Sequence, residues 1–194
     1  MPTLGRVPLG SGGHHVGSLA RTARDCAAVL GVIAGRRPGH AVGGDPHGED
    51  YVGALCGSLE GMRIGVNRID NPCGAETGLW NFLDDAADVL ADLGADVVDV
   101  TWLPAGDASR LFADIDAVIG PTTVPPATDD RGSLLWPVLV LPMGFGSGGL
   151  PLALQIAGSP FEEATVLRIG DAYQQITDWH RQVPALSPAP AAGA

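Results

Sequence analysis

A length of 194 residues suits one domain or two small ones, and a composition of 45% apolar against 17% charged residues excludes a disordered chain. The formal net charge of −11 works against a nucleic-acid partner, because phosphate binding depends on Lys and Arg releasing counterions. All 11 basic residues are arginine, so no lysine of this chain can form a Schiff base, clamp a phosphate in a P-loop or act as a general base.

The first ten residues lack the apolar core of a secretory signal. The longest apolar stretch, residues 134–146, is broken by Pro137 and Pro142 and falls short of the ~20 residues that cross a bilayer. Cys26, Cys56 and Cys73 form no CxxC pair and no zinc-finger spacing, and an odd count without a framework points to a reducing compartment. The expectation is a cytoplasmic chain with no membrane partner.

In chain order, the first helix is predicted over residues 23–34. Thr22 supplies the N-cap oxygen and Asp25 follows three residues later. Gly35 ends it, and Cys26, Val29, Leu30 and Ile33 form its inward face. A short strand over 63–66 precedes a helix over 75–93. In that helix Leu79, Leu83, Ala86, Ala87, Leu90 and Leu93 make an apolar stripe, while Asp84, Asp85, Asp88 and Asp92 face water. A strand at 96–100 follows Gly94, and this strand–helix–strand unit favours parallel pairing with a right-handed crossover. Apolar runs at 117–119, 138–141 and 152–157 read as further strands. The last helix is expected to start at Ser159 as N-cap with Pro160 at its first position, to carry Leu167, Ile169, Tyr173 and Ile176, and to end near Trp179. Residues 36–49 and 121–133 read as loops. The class is α/β, a mixed, mainly parallel sheet flanked by helices. It occupies one domain over 1–184, followed by a disordered Ala/Pro-rich tail over 185–194.

Three patterns suggest chemistry. The run from Gly144 to Gly149 matches GxGxxG, but a strand-like stretch follows it where a dinucleotide site needs a helix, so it reads as a glycine-rich strand connection. Ser11 lies beside His14 and His15, and Ser147 sits among glycines. Neither fits G-x-S-x-G, and a Ser/His hydrolase built on Ser11 stands as one alternative. His14, His15, His40, Asp45 and His47 lie in loops without metal-ligand spacing, so no metal and no cofactor is expected.

Several segments taken together resemble the amidase signature family. Pro2-Thr3-Leu4-Gly5-Arg6-Val7 is similar to its KPTxGRV segment, and Gly17-Ser18-Leu19-Ala20-Arg21-Thr22 with Asp25 to its GPLART…D segment. Gly61-Met62-Arg63-Ile64-Gly65-Val66 resembles GxRIGV, and Leu93-Gly94-Ala95 with Val97-Val98 resembles LGAxVV. Asp116 with Pro121-Thr122 resembles D…PT. The residues from Leu141 to Glu163 resemble the closing PxGF…GLPxxLQIxGxPFxE region.

The resemblance implies hydrolysis of carbon–nitrogen bonds in carboxamides on a truncated amidase signature fold. It further implies that the nucleophilic serine, a second serine across a cis peptide and a relaying lysine lie upstream of the KPTxGRV-like segment, so this chain begins after all three and carries no catalytic residue of its own. It also implies that a long insertion, which the family carries after the position of Pro104, is missing. Thr122 and Gln155 are then the expected substrate-pocket residues, and Arg21 is expected to anchor its loop to the sheet. The expected function is an amidase-family protein that is inactive by itself. The alternative is a binding or assembly module that self-associates or is completed by a separate chain supplying the missing half, with a small carboxamide as substrate only when completed.

Overall fold

The computed structural model describes residues 17–34, 50–68, 78–101, 111–121 and 136–182. Its centre is a five-stranded sheet of β1 (Arg63–Asn67), β2 (Asp96–Val100), β3 (Ala117–Pro121), β4 (Val138–Phe145) and β5 (Pro151–Gly158), in the order β2-β1-β3-β5-β4. β1 pairs in parallel with both β2 and β3, and β5 is antiparallel to β3 and to β4. Four strands therefore point one way and β5 alone points back. The fold is the mixed, mainly parallel α/β sheet that the sequence predicts.

The helices are α1 (Ala23–Ile33), α2 (Leu79–Asp92) and α3 (Glu163–Ile176), followed by a 3-10 turn at Trp179–Arg181. The expected β1–α2–β2 unit forms, with Ile64 opposite Val97. Gly94 ends α2 at φ +99°, and a Cβ there would meet the Glu60 backbone and side chain. Only glycine takes that turn without strain.

Alternation along the strands divides the core between two faces. On the first, Ile64, Val66, Ile119, Leu154 and Ile156 pack against Leu83, Leu90, Ile169 and Tyr173 of α2 and α3. α1 lies outside α3, joined through Cys26, Ala27, Leu55 and Leu167. On the second face, Ile115, Val118 and Trp136 form a smaller core with Val98, Val100, Leu111 and Phe112. The two faces follow from topology. β2 is added on one side of β1 and β3 on the other, and right-handed crossovers of opposite direction lie on opposite faces.

Thr22 caps α1 as expected, its Oγ1 accepting the Asp25 N–H at 3.0 Å. Three expectations need correction. The last helix does not start at Ser159–Pro160. Phe161 takes φ +73°, which interrupts the helical path, so α3 begins at Glu163 with Glu162 as an N-cap that makes no side-chain cap bond. Val29 is exposed, because α1 buries only a narrow face against α3. Ile176 is exposed as well, at the end of a helix that stops three residues before Trp179. The glycine-rich run at 144–149 joins β4 to β5, as expected, with Gly146 N–H donating to Leu150 O at 2.9 Å. The loop at 36–49 and the tail at 185–194 lie outside the described residues.

Candidate functional site

In open α/β sheets, ligands bind beyond the carboxyl ends of strands where the strand order reverses. Here the reversal falls between β1 and β3, whose carboxyl ends are Asn67 and Pro121. The register places Gly120 opposite Gln155 and Ile119 opposite Val66, which brings Asn67 alongside Gly120. The Asn67 Cβ lies 3.6 Å from the point where a Cβ on Gly120 would sit. Asn67 and Gln155 thus flank a side-chain-free position on the second face.

Both residues are buried, at 1% and 6% exposure. Asn67 has a partner. Each carries a primary carboxamide that both donates and accepts. A pair of this kind can orient a planar amide or acid, but it supplies no nucleophile and no proton relay. Sequence reasoning missed Asn67. The signal that could have found it is a polar residue closing the first strand of a β–α–β unit, at the end where the switch-point rule places ligands.

Of the two expected pocket residues, Gln155 is placed at this corner and Thr122 lies outside the described residues. Ser11, His14, His15, His40, Asp45 and His47 lie outside them as well. Asp116, the residue of the D…PT match, accepts the Arg63 N–H at 2.7 Å and ties the start of β3 to that of β1. Arg21 is exposed, and the nearby Arg24 ties α1 to α3 through Asp171 at 3.3 Å.

Away from this corner, an open groove of about 560 Å³ runs between α2 and β2, lined by Arg68, Asp84, Asp88 and Asp99 among others. Arg68 pairs there with Asp99 at 2.8 Å and with Asp84. Hydrogen bonds to Asp99 and Asp84 hold its guanidinium above its usual range. Among the described residues no group of three or more His, Cys, Asp or Glu could hold a metal ion. No helix among them is long and apolar enough to cross a membrane.

The family model described as Amidase matches residues 1–109. The chain belongs to the amidase family. Among curated amidase-family relatives, the A subunit of the glutamyl-tRNA(Gln) amidotransferase of Roseiflexus sp. (strain RS-1) is 28% identical over 293 residues, covering 95% of this chain and 60% of the relative. Its namesake from Pseudomonas aeruginosa (strain LESB58) is 25% identical with the same coverage. The chain thus spans about 60% of the length of the curated relatives it matches. Among solved structures, a bacterial aryl acylamidase of the amidase signature family superposes with a TM-score of 0.66 at 16% identity, covering 83% of this chain and 52% of that one. The peptide amidase of Stenotrophomonas maltophilia superposes with a TM-score of 0.62 at 21% identity, covering 83% and 53%. These superpositions establish the amidase fold.

Proposed function

We propose that this chain is the pocket-bearing part of a carbon–nitrogen hydrolase of the amidase type, and that it hydrolyses no carboxamide by itself. The observation that carries this reading is the make-up of the corner where β1 and β3 end. It presents the carboxamides of Asn67 and Gln155, groups that bind but do not attack, in a 194-residue chain without lysine. Amide hydrolysis needs an activated nucleophile, a proton relay and oxyanion donors. Residues carrying a serine and a base, joined to this chain or separate from it, would have to meet that corner.

Ammonia release from a panel of simple amides, run with and without a serine-reactive fluorophosphonate, tests the reading. The purified chain should release none and take up no label. Turnover that the fluorophosphonate abolishes would overturn it.

A second reading, assembly with a separate chain, is favoured by the relatives. Their names describe one component of a larger amidotransferase, and this chain spans about 60% of them. Sedimentation across a wide concentration range, alone and in lysate from the source cells, tests it. A chain that stays monomeric and free in both would count against assembly.

A further inference from the structure

The described end of the connection from β2 to β3, at Leu111, Phe112 and Ile115, packs on the second face of the sheet, and the connection is short. β2 ends at Val100 and β3 starts at Ala117, so sixteen residues make the crossing, little more than the dozen that a parallel crossover needs. The Roseiflexus relative is matched over 293 residues, whereas 95% of this 194-residue chain is about 184, so about 110 positions of the match have no counterpart here. The family match stops at residue 109, inside this same connection.

A shortened crossover must cover apolar sheet surface with few atoms. Leu111, Phe112 and Ile115 from the end of the connection do so together with Trp136, which arrives from the segment before β4. The rings of Phe112 and Trp136 meet edge to face, with centroids 5.1 Å apart at 90°, and Trp136 is 7% exposed. Gly65 lets this cover lie flat. Side-chain atoms of Val100 and Ile115 come within 3 Å of where its Cβ would be.

We propose that Phe112 and Trp136 form a plug that stands in for the segment the longer relatives carry. The part of this face over Val98, Val100 and Val118 is sealed from within, so a completing chain meets the face at the Asn67–Gln155 corner and not there. The inference rests on membership of the amidase family. Its test reads stability and exposed apolar surface, so it succeeds or fails independently of any activity measurement.

The experiment is a double-mutant cycle on the full chain with Phe112→Ala, Trp136→Ala and the pair, read by thermal unfolding and by fluorescence of an anionic naphthalene dye. Each single change should lower the midpoint by about 5–10 °C. The pair should lower it by less than the sum, because both remove the same contact. Dye fluorescence should be low for the unaltered chain and rise in every variant. If the alanine variants do not fold, Phe112→Leu and Trp136→Phe give the same cycle in milder form. Additive losses, or an unaltered chain that binds dye as strongly as the variants, would overturn the proposal.

Discussion

The Arg24 guanidinium of α1 reaches the Asp171 carboxylate of α3 at 3.3 Å, and the same carboxylate oxygen accepts the Gln175 amide at 2.7 Å. One turn later on α3, Gln174 Oε1 accepts the Ala23 N–H, a donor that the first turn of α1 leaves without a helical partner. The outer helix is therefore fastened by polar contacts as much as by its narrow apolar face. Arg24 is half-exposed, so the ion pair contributes little in water, while Asp171 is buried and suffers from losing a partner. Arg24→Ala should cost about 1 kcal/mol. Gln174→Ala, which strands the Ala23 N–H, should cost about 1–3 kcal/mol. Hydrogen exchange along α1 checks both, since its amides should lose protection before those of α2.

Tyr173 is 2% exposed in the first-face core, and burial pushes its phenol up to about 12, with hydrogen bonds from Thr177 and Trp179 offsetting only part of the shift. The folded state therefore keeps this proton at a pH where the unfolded chain, at about 10, releases it. The stability it contributes is fully present below pH 10 and is lost as pH rises from 10 through 12. Urea midpoints measured from pH 8 to 11.5 should fall at the alkaline end, by an amount equivalent to about 1–2 kcal/mol. Tyr173→Phe should flatten that limb while leaving the neutral-pH slope against urea unchanged.

Gln155 separates a binding role from a supporting one. A buried side chain that serves the fold through hydrogen bonds costs about 1–3 kcal/mol when those bonds are lost, whereas a buried amide without such bonds can be replaced by an apolar side chain of similar shape at little cost. Gln155→Met should leave the thermal midpoint within about 2 °C. It should weaken the chemical-shift response of the Asn67 and Gly120 amides to millimolar benzamide. A large loss of stability would mark Gln155 as a support for the sheet instead.

The elements whose legibility was greatest are those set by local periodicity. The 3.6-residue stripe from Leu79 to Leu90 and the short apolar runs that became β1, β2 and β3 carry their own pattern, and tertiary contacts confirm it. What failed depended on partners distant in sequence. Val29 and Ile176 are apolar yet exposed, because the width of the buried face on α1 and α3 is decided by what packs against them. Ser159–Pro160 has the residue types of a helix start, but the chain leaves β5 through a left-handed Phe161, and that path overrides local preference. At the candidate site, Gln155 was reached through family resemblance. Asn67 was not, because a polar residue ending a strand is indistinguishable from a turn residue until the strand order is known. The Phe112–Trp136 contact joins positions 24 residues apart, and no local pattern links them.

Arg68 offers a salt-dependent prediction. It follows β1 and joins Asp84 on α2 to Asp99 on the edge strand β2, so one cation ties both later parts of the β1–α2–β2 unit to its first strand. All three side chains are 40% exposed or more, so solvent screens both pairs. The same cation offsets two carboxylates in a groove that also contains Asp88, in a chain of net charge −11. Replacing it with a neutral residue removes attraction and leaves like charges facing each other across α2 and β2. Arg68→Gln should therefore cost up to about 1 kcal/mol at low ionic strength, a midpoint shift of about 2–4 °C. In 1 M salt, where the Debye length is about 3 Å, most of that difference should vanish. Thermal unfolding of both proteins at 20 mM and 1 M sodium chloride checks it. A difference that survives high salt would mean that Arg68 acts through the packing of its aliphatic stem rather than through charge.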